Sequence, residues 1–266
     1  MSDDWQSKYR MIGFSRRGRV LTITLNNPDS LNVINKVLHD ELATVFTDVA
    51  FDEDSDVIVL TGAGRAFSAG GDIGHMQSVV DNPDLFIHEA EMARRIVFSL
   101  LDLQKPIIAR INGHAVGLGA TLALFCDVTF MSERAKIGDP HVAIGLVAGD
   151  GGAVIWPQLV GFNRAKEYLM TGELLDAATA ERIGLVNHVV AVDELDAKVD
   201  AFCDKLVNGS TRAIRWTKSV VNMELKRIAD ALMPAGLSFE TVSAHSTDHA
   251  EAVRAFRDKR PPVFRT

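Results

Sequence analysis

The period of the apolar positions changes repeatedly along the chain. In "RVLTITLNN" (19–27) apolar and polar residues alternate and β-branched residues dominate. That pattern predicts a strand ending at the turn signal Asn26-Asn27-Pro28. "INKVLHDELATVFTDVAFD" follows, with apolar residues at Val37, Leu38, Leu42, Val45, Phe46 and Val49, the spacing of a helix. "DVIVLTGAG" (56–64) is short, apolar and stopped by glycine, so it reads as a buried strand. The alternation continues with a helix over 84–102, a buried strand in "PIIARING" (106–113) and a helix at 117–126. A strand in "DVTFMS", helices around "NRAKEYLMTG" and "DAATAERIG", and a strand in "LVNHVV" complete it. Asp176 caps the last of these helices and Gly184 stops it. From about 193 the strand signals cease. "DELDAKVDAFCDKLV", "TRAIRWTKSVVNMELK" and "DHAEAVRAFRDK" read as helices, the last opening on a capping box from Asp248 to Glu251. The pattern predicts an α/β fold with mostly parallel pairing and a helical C-terminal third.

Composition narrows the partners. The 266 residues are 47% apolar and 24% charged, and they suffice for a sizeable core. A net charge of −7 argues against general affinity for nucleic acid or an anionic membrane. Cys126 and Cys203 lack metal-ligand spacing, so no metal site is expected. "MSDDWQSKYR" has no apolar signal core, and the longest apolar and glycine run, Ala115 to Phe125 with Thr121 as its polar break, is too short to span a bilayer. The expectation is a soluble cytoplasmic protein.

Two glycine-rich turns follow strands. "GRAFSAGGDI" (64–73) has a Gly70-Gly71 pair that turns the backbone and leaves N–H groups bare, although a plain strand-to-helix turn fits equally well. It lacks the G-x-x-x-x-G-K-[ST] pattern of a phosphate loop. "INGHAVGLGATLALFCD" (111–127) leads from a strand into an apolar helix, whose first N–H groups have no partner within it. Together the two turns suit an oxyanion hole for a carbonyl that becomes an enolate or a tetrahedral adduct.

These motifs, with "NNPDSLNVIN", "KPIIARINGHAVGLGATLALFCDV" and "GLVAGDGGAVIWPQLVGFNRAKEYLMTGELLDAATAERIGLVNHVV", resemble the crotonase superfamily of enoyl-CoA hydratases and isomerases from about residue 14 to 192. The resemblance implies a crotonase fold of repeated ββα units (1–192) with a helical C-terminal trimerisation region (193–266). It implies a homotrimer or hexamer, an acyl-CoA substrate, and no cofactor beyond the coenzyme A of that substrate. By position, Gly71 and Leu118 would donate the oxyanion-hole N–H groups, with Ala66 to Ala69 near the CoA moiety. Lys259 and Arg260 are candidates for the CoA phosphates; a solvated basic helix end explains them as well.

The family's hydratases hold a water between two glutamates, and the matching positions here are Thr121 and His141. Thr121, placed at the substrate by the resemblance, is no base near neutral pH. His141, with an ordinary pKa of about 6.5, is the side chain suited to proton transfer. Asp150, nine residues on, would hold its tautomer, although the Asp-Gly-Gly turn alone would also favour an aspartate. The segment "DPHVAIGLVAGDGGAVIWP" also resembles 6-oxocamphor hydrolase, a crotonase relative that cleaves a C–C bond of a cyclic β-diketone. That relative's C-terminal glutamate corresponds to Glu240, and a further histidine of its site falls near Leu118 and is absent. His75 and His114 read as structural or peripheral. The leading expectation is an acyl-CoA enzyme using His141 and Asp150 as acid–base. The alternatives are a hydrolase of β-diketones or β-keto-CoA, and a non-catalytic acyl-CoA binder.

Overall fold

A computed structural model describes residues 5–264; Met1–Asp4, the start of the stretch read for a leader, and Arg265–Thr266 lie outside the described residues. Six strands form the main sheet in the order β1 (Ile12–Arg17), β2 (Val20–Leu25), β3 (Val57–Gly62), β5 (Ile107–Ile111), β7 (Val128–Ser132) and β10 (His188–Val190). Within this sheet, among the described residues, only the β1–β2 pair is antiparallel. A second sheet orders β4 (Ala66–Ser68), β6 (His114–Val116), β8 (Lys136–Gly138) and β9 (Leu175–Asp176). Each strand of that sheet is two or three residues long, which is why periodicity misses it. The fold is the α/β arrangement, with mostly parallel pairing and a helical C-terminal part, that the sequence pattern predicts.

The strand β3 is buried throughout because both faces are covered. Its period of two sends Ile58 and Leu60 into the main core and Val57 and Val59 into a smaller one on the opposite face. The main core is closed by α1 (Lys36–Phe51), α3 (Leu85–Asp102), α4 (Leu118–Leu124), α5 (Gly152–Val160), α6 (Phe162–Thr171) and α7 (Ala177–Arg182), while α2 (Ile73–Asp81) packs through Val79 in a separate small cluster with Leu146 and Ala244. The smaller core is closed by α8 (Leu195–Val207), through Leu195, Val199 and Cys203. Then come α9 (Thr211–Ala244) and α10 (Thr247–Arg257).

Two of these helices run differently from the sequence pattern. The long α9 continues to Ala244 through Pro234, well beyond the periodic stretch that announces it. Its outward side leaves Trp216, Val220, Val221 and Met223 exposed. In α10 the cap is Ser246, whose hydroxyl accepts from the His249 N–H, and Asp248 already lies inside the helix. Among the described residues no helix is long and apolar enough to cross a membrane.

One buried side chain ties the core to the site. Asn32 accepts from Asn27 N and donates to the carbonyls of Ala63 and Ala66, while its own carbonyl accepts from Ser68 Oγ. That clamp fixes the strand β4, whose end is the Gly70-Gly71 turn.

Candidate functional site

Two glycine turns meet at the ends of β4 and β6. Gly70 has φ of +85°, and a Cβ there would lie 2.8 Å from the Val116 carbonyl, so only glycine allows this approach. Gly117 has φ of +56° and starts α4, and a Cβ there would sit 3.7 Å from His141 Cε1 and 4.0 Å from Gly70 Cα. The carbonyl of Gly70 and the N–H of Asp72 bond across to Ile34. The Gly71 N–H between them has no acceptor among the described residues, nor does the Leu118 N–H at the first turn of α4. Both residues line a cavity of about 570 Å³.

The acid–base groups enter that cavity from three elements. His141 begins a 3-10 turn (His141–Ile144) after Pro140, Asp150 ends the loop before α5, and Glu240 comes from α9. Glu240 gets this close because Gly149 and Gly236 face each other without side chains. A Cβ at Gly149 would be 2.3 Å from the Gly236 carbonyl oxygen and 2.9 Å from Glu240 Oε2. His141 Nδ1 donates to Asp139 Oδ1, while Nε2 lies 3.6 Å from Asp150 Oδ2 and 3.8 Å from Glu240 Oε1. The imidazole is therefore oriented by Asp139, whereas the sequence assigned that task to Asp150. Asp150 and Glu240 instead face its other nitrogen.

The three carboxyls are buried, the His141 side chain is 11% exposed, and their charges are interlocked. Burial works against an imidazolium at His141, but Asp139, Asp150 and Glu240 outweigh it and hold the ring well above its ordinary value. Burial and the neighbouring Asp139 raise Asp150 against the pull of His141. Burial and Asp150 push Glu240 well above the carboxylate range. One oxygen each of Asp139, Asp150 and Glu240 is buried without a hydrogen-bond partner. Asp139, His141 and Asp150 could also surround a cation, their ligand atoms lying within 4.8 Å of one another. The tightest contact, however, joins the imidazole to a carboxylate, which is an arrangement for sharing protons.

The other residues singled out in the sequence fall in different places. Ala69 lines the cavity. Ala66 lies in β4, opposite His114 of β6, and does not reach the cavity lining. Thr121 is buried in α4 outside the lining, its hydroxyl without a partner, and a Cβ at Gly151 would meet its methyl at 2.8 Å. Lys259 and Arg260 lie beyond α10, away from the lining; Arg260 donates to both carboxylate oxygens of Glu251, at 2.5 and 3.1 Å. His114 is peripheral, its Nδ1 accepting from the Lys136 N–H, but His75 lines the cavity.

Four lining or orienting residues escape the sequence reading. Asp139 was visible two positions before His141, where a turn brings a carboxylate to Nδ1. His39 interrupts the apolar face of α1, a usable signal. Glu89 on α3 and His249 on α10 carry none. His249 is neutral in character, with burial lowering its pKa and Nδ1 paired with the Ile144 carbonyl.

The profile of the enoyl-CoA hydratase/isomerase family matches residues 15–266. A probable enoyl-CoA hydratase of Rhizobium meliloti is 36% identical over 260 residues, covering 97% of this chain and 98% of its own. A crystal structure of an enoyl-CoA hydratase/isomerase from Mycobacterium paratuberculosis superposes with a TM-score of 0.88 at 38% identity, over 92% of this chain and 97% of the other. A β-diketone hydrolase of the cyanobacterium Anabaena, bound to (S)-3-oxocyclohexyl acetic acid, superposes with a TM-score of 0.85 at 29% identity, over 92% of this chain and 98% of its own.

Proposed function

The chain belongs to the enoyl-CoA hydratase/isomerase family, and from that premise we propose that it hydrolyses the C–C bond between the two carbonyls of a β-dicarbonyl substrate. The observation that carries this reading is the convergence of Asp139, Asp150 and Glu240 on one imidazole beside two free N–H groups. A hydratase-type water would need a second acid across the site, and position 121 offers a threonine outside the cavity lining. The β-diketone hydrolase of Anabaena supports the same reading by its likeness.

In the proposed reaction the Gly71 and Leu118 N–H groups hold the oxygen of the attacked carbonyl. Water loses a proton to the His141–Asp150–Glu240 unit and its oxygen bonds to the carbonyl carbon. The tetrahedral oxyanion then collapses, breaking the bond to the α carbon. The carbonyl side leaves as a carboxylic acid, and the other side leaves as an enolate that takes a proton from the same unit at carbon. Carboxyls raised above their ordinary range by burial suit both directions of that transfer.

The test is ring opening of a 2,2-dimethylcyclohexane-1,3-dione, followed by NMR, beside hydration of crotonyl-CoA. Diketone cleavage with a loss of about 10²–10⁴ in His141→Ala supports the reading. Hydration without cleavage overturns it in favour of acyl-CoA chemistry at the same unit. That second reading is favoured by the family and by the oxyanion-hole pair, which suits a thioester equally. Binding of acetyl-CoA without turnover of either substrate would point to the acyl-CoA binder. Assembly into trimers or hexamers is proposed from the exposed apolar side of α9 and is read by sedimentation.

A further inference from the structure

The cavity carries a second cluster of titratable groups that the proposed reaction does not use. Glu89 projects from α3 between His39 of α1 and His75 of α2, and all three line the cavity. His75 Nε2 donates to Glu89 Oε1 at 3.0 Å. His39 Nδ1 lies 2.7 Å from Oε2, close enough for a charge contact but too bent for a full hydrogen bond. The three side chains are only 7%, 14% and 21% exposed for His39, Glu89 and His75, so water screens them weakly. Burial opposes the Glu89 charge, yet the two histidines hold its carboxyl far below the carboxylate range. The hydrogen bond to Glu89 raises His75 in turn. No lysine or arginine lines the cavity among the described residues, so histidines are its only cationic groups.

His75 thus uses Nε2–H on Glu89, and the imidazolium that this carboxylate favours carries a second donor, Nδ1–H, without a partner among the described residues. Around it the wall is apolar, with Met76, Val79, Phe86 and Ile144. An isolated donor in an apolar wall gives orientation and specificity more than affinity. A substrate that presents only hydrocarbon to this wall would strip water from His75 and return nothing, which costs more than a lost contact.

We infer that His75, anchored by Glu89 and backed by His39, is a substrate-positioning residue that donates from Nδ1 to an oxygen function of the substrate other than the attacked carbonyl. The substrate class is then a β-dicarbonyl with an additional carbonyl or carboxylate oxygen. The inference rests on the reading of this cavity as the substrate site, and it deepens that reading by naming what the wall at His75 recognises.

The test compares three ligands of matched shape: 2,2-dimethylcyclohexane-1,3-diones bearing isopropyl, acetyl or carboxylate at ring carbon 5. Binding is measured by calorimetry in a His141→Ala background, where turnover is slowed by about 10²–10⁴. Acetyl or carboxylate should bind about tenfold tighter than isopropyl, the worth of one good hydrogen bond to a charged donor. A preference confined to acetyl identifies a neutral oxygen, and one confined to carboxylate an anion. His75→Phe should bring the ratio to about one, because it weakens acetyl and carboxylate binding more than isopropyl binding. His75→Gln, which keeps a donor, should restore part of it. Glu89→Gln should weaken it without loss of fold, so the test survives an unstable His75→Phe. Isopropyl binding as tight as the others, or a ratio unmoved in both His75→Phe and Glu89→Gln, overturns the proposal. Ring opening by the unmutated chain is scored separately. No cleavage with the preference intact removes the hydrolase reading and leaves the recognition site standing.

Discussion

Asp139→Asn separates the role of the carboxylate on Nδ1 from mere support of the fold. The asparagine keeps the shape of a side chain that is fully buried and accepts from His141 Nδ1. An amide can turn its NH₂ toward Nδ1 and lock the imidazole with its hydrogen on Nε2, removing the acceptor that faces Asp150 and Glu240; either rotamer removes the charge. Loss of the correct tautomer and of imidazolium stabilisation in such arrangements lowers turnover by about 10²–10⁴, or about 3–5 kcal/mol of barrier. Stability should move far less. One of three buried carboxylates around a single imidazole disappears, relieving a repulsion that helps raise Asp150 and Glu240. Against that stands a buried amide hydrogen without a partner, costing about 1–3 kcal/mol. The net change should leave Tm within about 4 °C of the unmutated chain. The assays are turnover of the cleaved substrate, thermal unfolding, and the His141 ring titration by NMR, which should shift down because a large raising influence is gone. Turnover within about threefold of the unmutated chain, or a loss matched by a Tm fall of more than about 10 °C, would refute the orienting role.

Other outcomes follow from the same geometry. Gly149→Ala places a methyl 2.3 Å from the Gly236 oxygen, so it should cost about 1–3 kcal/mol in chemical denaturation and lower turnover by displacing Glu240. Thr121→Val should leave turnover within about twofold and be neutral or slightly stabilising, because the hydroxyl is buried without a partner and lies outside the cavity lining. Stability should fall as pH rises from about 5 to 9. His141 and His75 are raised by carboxylates, so their contribution is full below the ordinary histidine range and is lost as pH climbs through their folded values. Asp150 and Glu240 are raised mainly by burial, so the cost of ionising them also appears on the alkaline side. Glu89, depressed, loses its contribution only on acidification through the carboxylate range and below. A Tm that increases across that alkaline range would contradict the proton balance.

The long elements are legible in the sequence because their physics is local. Val57–Gly62 and Ile107–Ile111 are short apolar runs bounded by turn signals, and α1 shows its face in seven buried residues. Gly152–Val160 escapes because it begins in a glycine run and contains Pro157, both poor helix signals, and tertiary packing overrides them. His141 and Asp150 stand out through their setting between Pro140 and a glycine turn. The pairing of nitrogens with carboxylates does not, since which oxygen meets Nδ1 is decided by the local bend at Asp139-Pro140 before the 3-10 turn. His39, Glu89 and His75 come from three helices that only folding brings together, so no spacing announces their contact, although His39 alone interrupts the apolar face of α1.

The bare contact between Gly149 and Gly236 also makes the site a sensor of its own construction. Glu240 rides on α9, a rod of 34 residues and roughly 50 Å, whose outer side is apolar and exposed. Whatever pulls that rod away from the loop at Gly149 withdraws a carboxylate from His141 without touching the rest of the cavity. Conversely, a ligand that needs Glu240 must tighten the rod against the loop. Amide exchange along 236–244 should therefore slow when the cavity fills, so that a helix far from most of the sheet keeps a record of occupancy.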